Sequence, residues 1–210
     1  NHDNNNPTTL GPLQPIALSI DHKFDLSAER ERAERAGAHL RTIEYSTTNN
    51  ATKEEVQSSI IEVWVEDANP DVSQRALRMS RAFGDFHLKQ NVALPPEAQA
   101  VVAVPDIKVE QFTDSDIFAV LACGGGWDVM SNQEVLDFIA PMITSLAKTA
   151  GGTGAAIQHA CAKACDSLIE ECLKRGSTDN MSVIVVVLAP HMLGGDPQKL
   201  QSEKENGQSN

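Results

Sequence analysis

The chain is poor in cysteine, aromatic residues and positive charge, and it has no long apolar run. Its four cysteines, Cys123, Cys161, Cys165 and Cys172, form neither a C-x-x-C pair nor a spaced disulfide framework. That argues against a disulfide-stapled secreted scaffold and for a reducing compartment. The longest apolar run, Val183 to Ala189, falls far short of the ~20 residues that cross a bilayer, so no membrane span is expected. Seventeen basic residues against 29 acidic give a net charge of −12, which repels phosphate backbones and anionic lipid. Neither nucleic acid nor a membrane is an expected partner. No basic and apolar leader is visible at the start, and an intracellular location, cytoplasmic or nuclear, is expected.

What is present is enough for one substantial core in 210 residues. Composition divides the chain into a polar segment 1–14 and a polar tail 191–210, both read as disordered, around a folded region 15–190. Within that region, Pro15 to Ile20 suits a strand, and Ser27 can cap a helix over Ala28 to Ala36 that Gly37 ends. Residues 41–59, with "STTNN", read as a variable surface insertion, and Ile60 to Val65 alternates as a strand does. Ala100 to Val104 and Ile107 to Phe112 suggest two short strands broken at Pro105. Ile117 to Cys123 is apolar on both faces, the pattern of a central strand.

Ser131 with Glu134 three residues on forms a capping box, opening a helix that buries Val135, Phe138, Ile139, Met142 and Leu146, with a kink expected at Pro141. A second helix, Ala155 to Leu173, carries Ile157, Ala160, Cys161, Ala164, Cys165, Leu168 and Cys172 on one stripe. The valine-rich Met181 to Ala189 reads as a buried strand. The order of elements indicates an α+β fold rather than a regular alternation.

Three features could carry chemistry. Cys161, Cys165 and Cys172 share a helix face, but that face is the apolar stripe, so core packing is expected over a zinc site. The triplet Gly124, Gly125, Gly126 follows a strand and precedes a helix, as in an anion cradle, yet neither a dinucleotide nor a P-loop fingerprint is present and Asp128 stands where phosphate would approach. Asp128 and Asp179 both lie at strand ends. They could face one cleft as oxygen ligands of Mg²⁺ or Mn²⁺, or they could simply cap a loop and make a turn with Asn180. The residues alone leave both readings open.

A resemblance favours the first. "RMSRAFGDFHLK" (Arg78 to Lys89), "VVAVPDIKV" (Val101 to Val109), "DIFAVLACGGGWDVMSNQEV" (Asp116 to Val135) and "RGSTDNMSVIVV" (Arg175 to Val186) resemble successive motifs of the metal-dependent serine/threonine protein phosphatases of the PPM, or 2C, type. "IALSIDHKFDLSAERERAERAGAHL" (Ile16 to Leu40) is similar to the segment before them. The resemblance implies an antiparallel β-sandwich flanked by helices, in α-β-β-α layers. It also implies two Mg²⁺ or Mn²⁺ ions that activate water against phosphoserine or phosphothreonine on a protein substrate.

Two departures bear on that chemistry. The family's D-G-x-W-D reads here as Gly124 to Asp128, so Gly124 replaces a ligand aspartate; Asp128 matches the closing acid and Asp179 the aspartate of the family's D-N pair. Nothing before Pro15 supplies the family's R-x-x-x-E-D, D-G-H-G-G, G-S-T-A or G-D-S-R segments, so the N-terminal half of the domain is expected to be missing and is a possible partner. One carboxylate beside a divalent ion at ~4 Å in water gains about 2 kcal/mol, whereas micromolar binding needs about 8. The expectation is therefore weak metal binding and a catalytically impaired chain, or a pseudophosphatase acting as a binding module.

Overall fold

The structure is a computed structural model that describes residues 13–48, 55–66, 75–149 and 153–193. It divides into two compact units, one of residues 18–47 and 55–109, the other chiefly of residues 110–193. Helix and strand are mixed, as an α+β chain requires.

In the first unit, α1 spans Ser27–Arg35. Its N-cap is Leu26, with no side-chain cap hydrogen bond, so Ser27 enters the helix instead of capping it. The other end forms as expected: Gly37 takes φ 85°, and the Gly37 and Ala38 amides bond back to the carbonyls of Glu34 and Ala33. This is a Schellman closure that needs a left-handed residue. Strands β1, His39–Thr48, and β2, Glu55–Trp64, pair with each other, so the expected surface insertion takes the form of two long strands. Phe24, Ala33, Val63, Leu88 and Val101 fill the core.

Three expected strands do not form among the described residues. Segment 15–20 forms no regular strand and leaves Ile16, Leu18 and Ile20 exposed; 100–104 contributes one bridge, Val102 to Arg81; 107–112 has no regular structure. The local patterns are those of strands, but a strand also needs a regular ladder, and among the described residues these segments join neither sheet.

In the second unit, β3 (Phe118–Ala122) pairs antiparallel with β4 (Val183–Val187), Phe118 opposite Val187 and Ala122 opposite Val183. Between them run a single helical turn, α2, Gly124–Trp127, and two long helices, α3, Asn132–Thr149, and α4, Gly154–Lys174. The capping box at Ser131 forms in both directions: the Ser131 amide and hydroxyl donate to Glu134 Oε2 at 2.8 and 2.7 Å, and the Glu134 amide donates to Ser131 Oγ. At α4, Thr153 Oγ1 accepts from the Ala156 amide.

Helices α3 and α4 pack on each other, and α4 packs on β4. Ile139, Ile143, Ala160, Ala164, Leu168 and Cys172 are buried there, with Cys161 partly buried against them. Pro141 lies inside α3, which continues through it. All four cysteines are free; of those in α4, Cys172 is buried in the core and Cys161 packs against it, as the stripe predicts, while Cys165 is half-buried outside that cluster.

Phe118, Val120, Val183, Val185 and Val187 pack against this core, while Leu121 and Ile184, opposite each other in the ladder, are 54% and 57% exposed on the other face. The strand read as central is thus half-covered. The terminal segments lie almost wholly outside the described residues, but Leu193 is fully buried in the 3-10 turn Pro190–Leu193, and Leu13 packs on the same core. No helix among the described residues is long and apolar enough to cross a membrane.

Candidate metal centre

The site is built where β3 gives way to α2 and where α4 returns toward β4. At Cys123 the backbone is extended, and the next four residues close one turn in which the Asp128 amide donates to the Gly124 carbonyl at 2.8 Å. Trp127 folds back so that its indole N–H donates to the Ala122 carbonyl at 2.9 Å, tying the turn to the strand it leaves.

On the other side, α4 ends at Arg175, and Gly176 with φ 101° turns the chain in a second Schellman closure, the Ser177 amide bonding to the Cys172 carbonyl. Arg175 is held by Glu171 at 3.0 Å and by Glu134 of α3 at 2.5 Å. The Ser131 amide, the Arg175 guanidinium and the Ser131 hydroxyl together hold the Glu134 carboxyl at about 2, below the usual carboxylate range.

Two of the three glycines now have distinct explanations. A Cβ on Gly125 would lie 2.9 Å from Met181 Cγ, 3.0 Å from the Asn180 carbonyl oxygen and 3.2 Å from Asp179 Cβ, so this position must be glycine for the Asp179 loop to lie against it. A Cβ on Gly124 would meet only Asp128 Oδ2, at 3.7 Å, and its φ is not in the left-handed region. Neither space nor backbone requires glycine there.

The structure thus places both predicted acids around one glycine turn, Asp128 at its end and Asp179 across Gly125. Both are exposed. Asp179 Oδ1 accepts from the Asn180 amide at 2.7 Å. Among the described residues, no group of three or more His, Cys, Asp or Glu side chains is arranged to hold a metal ion. Two exposed carboxylates do not supply a two-ion centre, since Mg²⁺ alone takes six oxygens.

Sequence reasoning missed two residues that hold the site together. The Ser177 hydroxyl donates to the Gly125 carbonyl at 2.7 Å. The Cys123 thiol accepts from the Ser182 amide and donates to the Asn180 carbonyl, both at 3.3 Å. Ser177 carried a usable signal, being the first polar side chain after Gly176, the glycine that follows the helix expected to Leu173; Cys123 carried none.

Comparison with known proteins bears on the fold and the family. The family model described as Protein phosphatase 2C matches residues 8–181. Probable protein phosphatase 2C 21 of Oryza sativa subsp. japonica is 34% identical over 200 residues, covering 94% of this chain and 45% of that protein. Protein phosphatase 1A of Homo sapiens is 28% identical over 207 residues, covering 97% and 48%. The crystal structure of a phosphatase from a pathogenic strain of Toxoplasma gondii matches with a TM-score of 0.54 at 27% identity, over 82% of this chain and 41% of that one. The chain spans about half the length of the curated relatives it matches. With a family model matched across most of its length and relatives above 30% identity, the chain belongs to the protein phosphatase 2C family.

Proposed function

We propose that this chain is the C-terminal part of a PPM-type domain, of the kind that hydrolyses phosphoserine and phosphothreonine on proteins, and that catalysis is impaired at its metal centre. Asp179 and Asp128 are the side chains that would hold Mg²⁺ or Mn²⁺. Such an ion, when bound, lowers the pKa of water and neutralises phosphoryl oxygens. The observation that carries the reading is the room at Gly124: a Cβ there would meet only Asp128 Oδ2, in ordinary contact at 3.7 Å, and the residue present brings no oxygen ligand. With the acids in hand, attraction for a divalent ion amounts to a few kcal/mol, short of the roughly 8 that micromolar binding needs.

The test compares Mn²⁺ affinity by calorimetry, and Mn²⁺-dependent release of phosphate from a phosphothreonine peptide, for the native chain and Gly124→Asp. The expected result is near-background turnover in the native chain and at least tenfold tighter Mn²⁺ binding in the variant. Robust native turnover would remove the impaired reading.

A second reading, a pseudophosphatase that serves as a binding module, is supported by the outward face of the β3–β4 pair. Leu121, Ile184 and Val186 are exposed there without a charge among them, and each, already about half covered, gains roughly 0.7–1.5 kcal/mol when fully covered. A phosphoprotein, another protein or the remaining half of a phosphatase domain are the proposed partners. Four free cysteines support an intracellular, cytoplasmic or nuclear, setting.

A further inference from the structure

We infer that Ser177 is a positioning residue, whose hydroxyl holds the Asp179 loop on the glycine turn and so fixes where the Asp179 carboxylate stands. Three independent contacts converge on this junction. The α4 closure at Gly176 delivers Ser177 with its amide already committed to the Cys172 carbonyl, which leaves the hydroxyl to reach the Gly125 carbonyl at 2.7 Å. Gly125, in turn, has Asp179, Asn180 and Met181 against the side where its Cβ would be, so the bond presses together two surfaces already in contact.

Cys123 closes the far side through Asn180 and Ser182. Asp179 therefore sits in the middle of a short segment fixed at both ends, by Ser177 before it and by Asn180 and Ser182 after it. A carboxylate held this way loses less freedom on meeting a ligand than one on a loose turn. The placement is read from the geometry alone; that it serves a cation rests on the function proposed above.

Amide hydrogen exchange in the native chain tests the two separately. Ser177→Ala is expected to speed exchange at the Asn180 and Ser182 amides about 3- to 10-fold while the amides of α3 and α4 keep their protection. Ser177→Thr, which keeps the hydroxyl, is expected to restore the native rates, and Ser177→Val, its isostere without one, is not. The Thr and Val pair gives the same comparison if the alanine variant does not fold.

Unchanged exchange at both amides, or loss of protection spread through α4, overturns the proposal. Mn²⁺ alone is the probe for the wider reading. Paramagnetic broadening of the Asn180 signal that weakens in Ser177→Ala links the placement to a cation. If the native chain shows no broadening, Asp179 is removed as a ligand, and the exchange result stands or falls by itself.

Discussion

The two units hold themselves together by different means. The second is a layer of helices against a strand pair, closed by apolar side chains at helical spacing, such as Ile139, Ile143, Ala160 and Leu168. The first has one short helix and much irregular backbone, and its segments are fastened by buried carboxylates. Glu29, 3% exposed, receives Arg81 at 2.5 Å and Arg32 at 2.6 Å; Arg32 also donates to the carbonyls of Ser80 and Gln99, and Arg81 to that of Val104. Glu62 is held by Arg41 at 2.9 Å and Arg78 at 3.0 Å. Where helices are long, periodicity supplies the contacts; where they are not, a guanidinium with five donors can join segments distant in sequence.

The largest expected effect breaks that contrast directly. Glu29→Ala leaves Arg81 and Arg32 without their shared counter-charge in a buried place, at a cost of about 3–5 kcal/mol. Ile139→Ala in the helical layer is expected to cost about 2–5 kcal/mol, as a cavity. Urea denaturation with amide exchange read separately in α1 and α4 assigns each loss to its unit. A cost below 1 kcal/mol for Glu29→Ala would mean that apolar packing, not the ion pairs, holds the first unit.

Acid should separate the units too. Burial pushes the Glu29 carboxyl up, but hydrogen bonds from Arg81, Ser80 and Arg32 outweigh it and hold the group at about 2, against an ordinary 4.5. A depressed carboxyl contributes stability that is complete above its unfolded pKa and is lost as pH falls through the folded one. For Glu29 the loss therefore runs from about pH 4.5 to about 2 and amounts to about 3 kcal/mol. Burial also opposes, and Arg41 and Arg78 overcome, the charge on Glu62, whose pKa is lowered as well. In the second unit Glu134 is depressed to a similar value, but its side chain is 48% exposed and solvent screens its contribution. Acidification from pH 5 to 2 is thus expected to release α1 amides before those of α4, and Glu29→Gln to flatten that pH dependence.

The same contrast decides how much could be read from sequence. The α3 capping box, the stripe of α4 with Cys172 buried in it, and the glycine closure at Gly37 are local patterns, and each is present in the structure. The strands β3 and β4 were legible as two apolar runs, but their pairing and the face that leaves Leu121 and Ile184 exposed were not, because a strand's own residues name neither its neighbour nor the layer that covers it. Segments 15–20 and 107–112 carry strand patterns yet join neither sheet among the described residues, for the same reason. The Arg81 and Glu29 pair, 52 residues apart, leaves no period to find. At the site, Asp128 and Asp179 were legible through the motifs, whereas the Ser177 bond depends on how two loops meet.

The smallest expected effects come from the glycine turn, and they test whether its three consecutive glycines answer to one constraint or several. Gly125→Ala must place a methyl group 3.0 Å from a backbone carbonyl that cannot swing aside as a flexible side chain can, and the cost is expected at about 1–3 kcal/mol. Gly124→Ala meets only Asp128 Oδ2, in ordinary contact at 3.7 Å, at the first residue of a helical turn where alanine is the better helix former, and the change is expected within about 0.5 kcal/mol, on the stabilising side. Urea midpoints for the second unit decide between them. If Gly124→Ala proves as damaging as Gly125→Ala, backbone freedom is what position 124 needs, and the view of it as a ligand position left vacant by substitution loses its physical basis. If only Gly125→Ala is damaging, Gly125 is fixed by packing and Gly124 is open to an acid, which is the condition under which one substitution can add a third carboxylate to the turn.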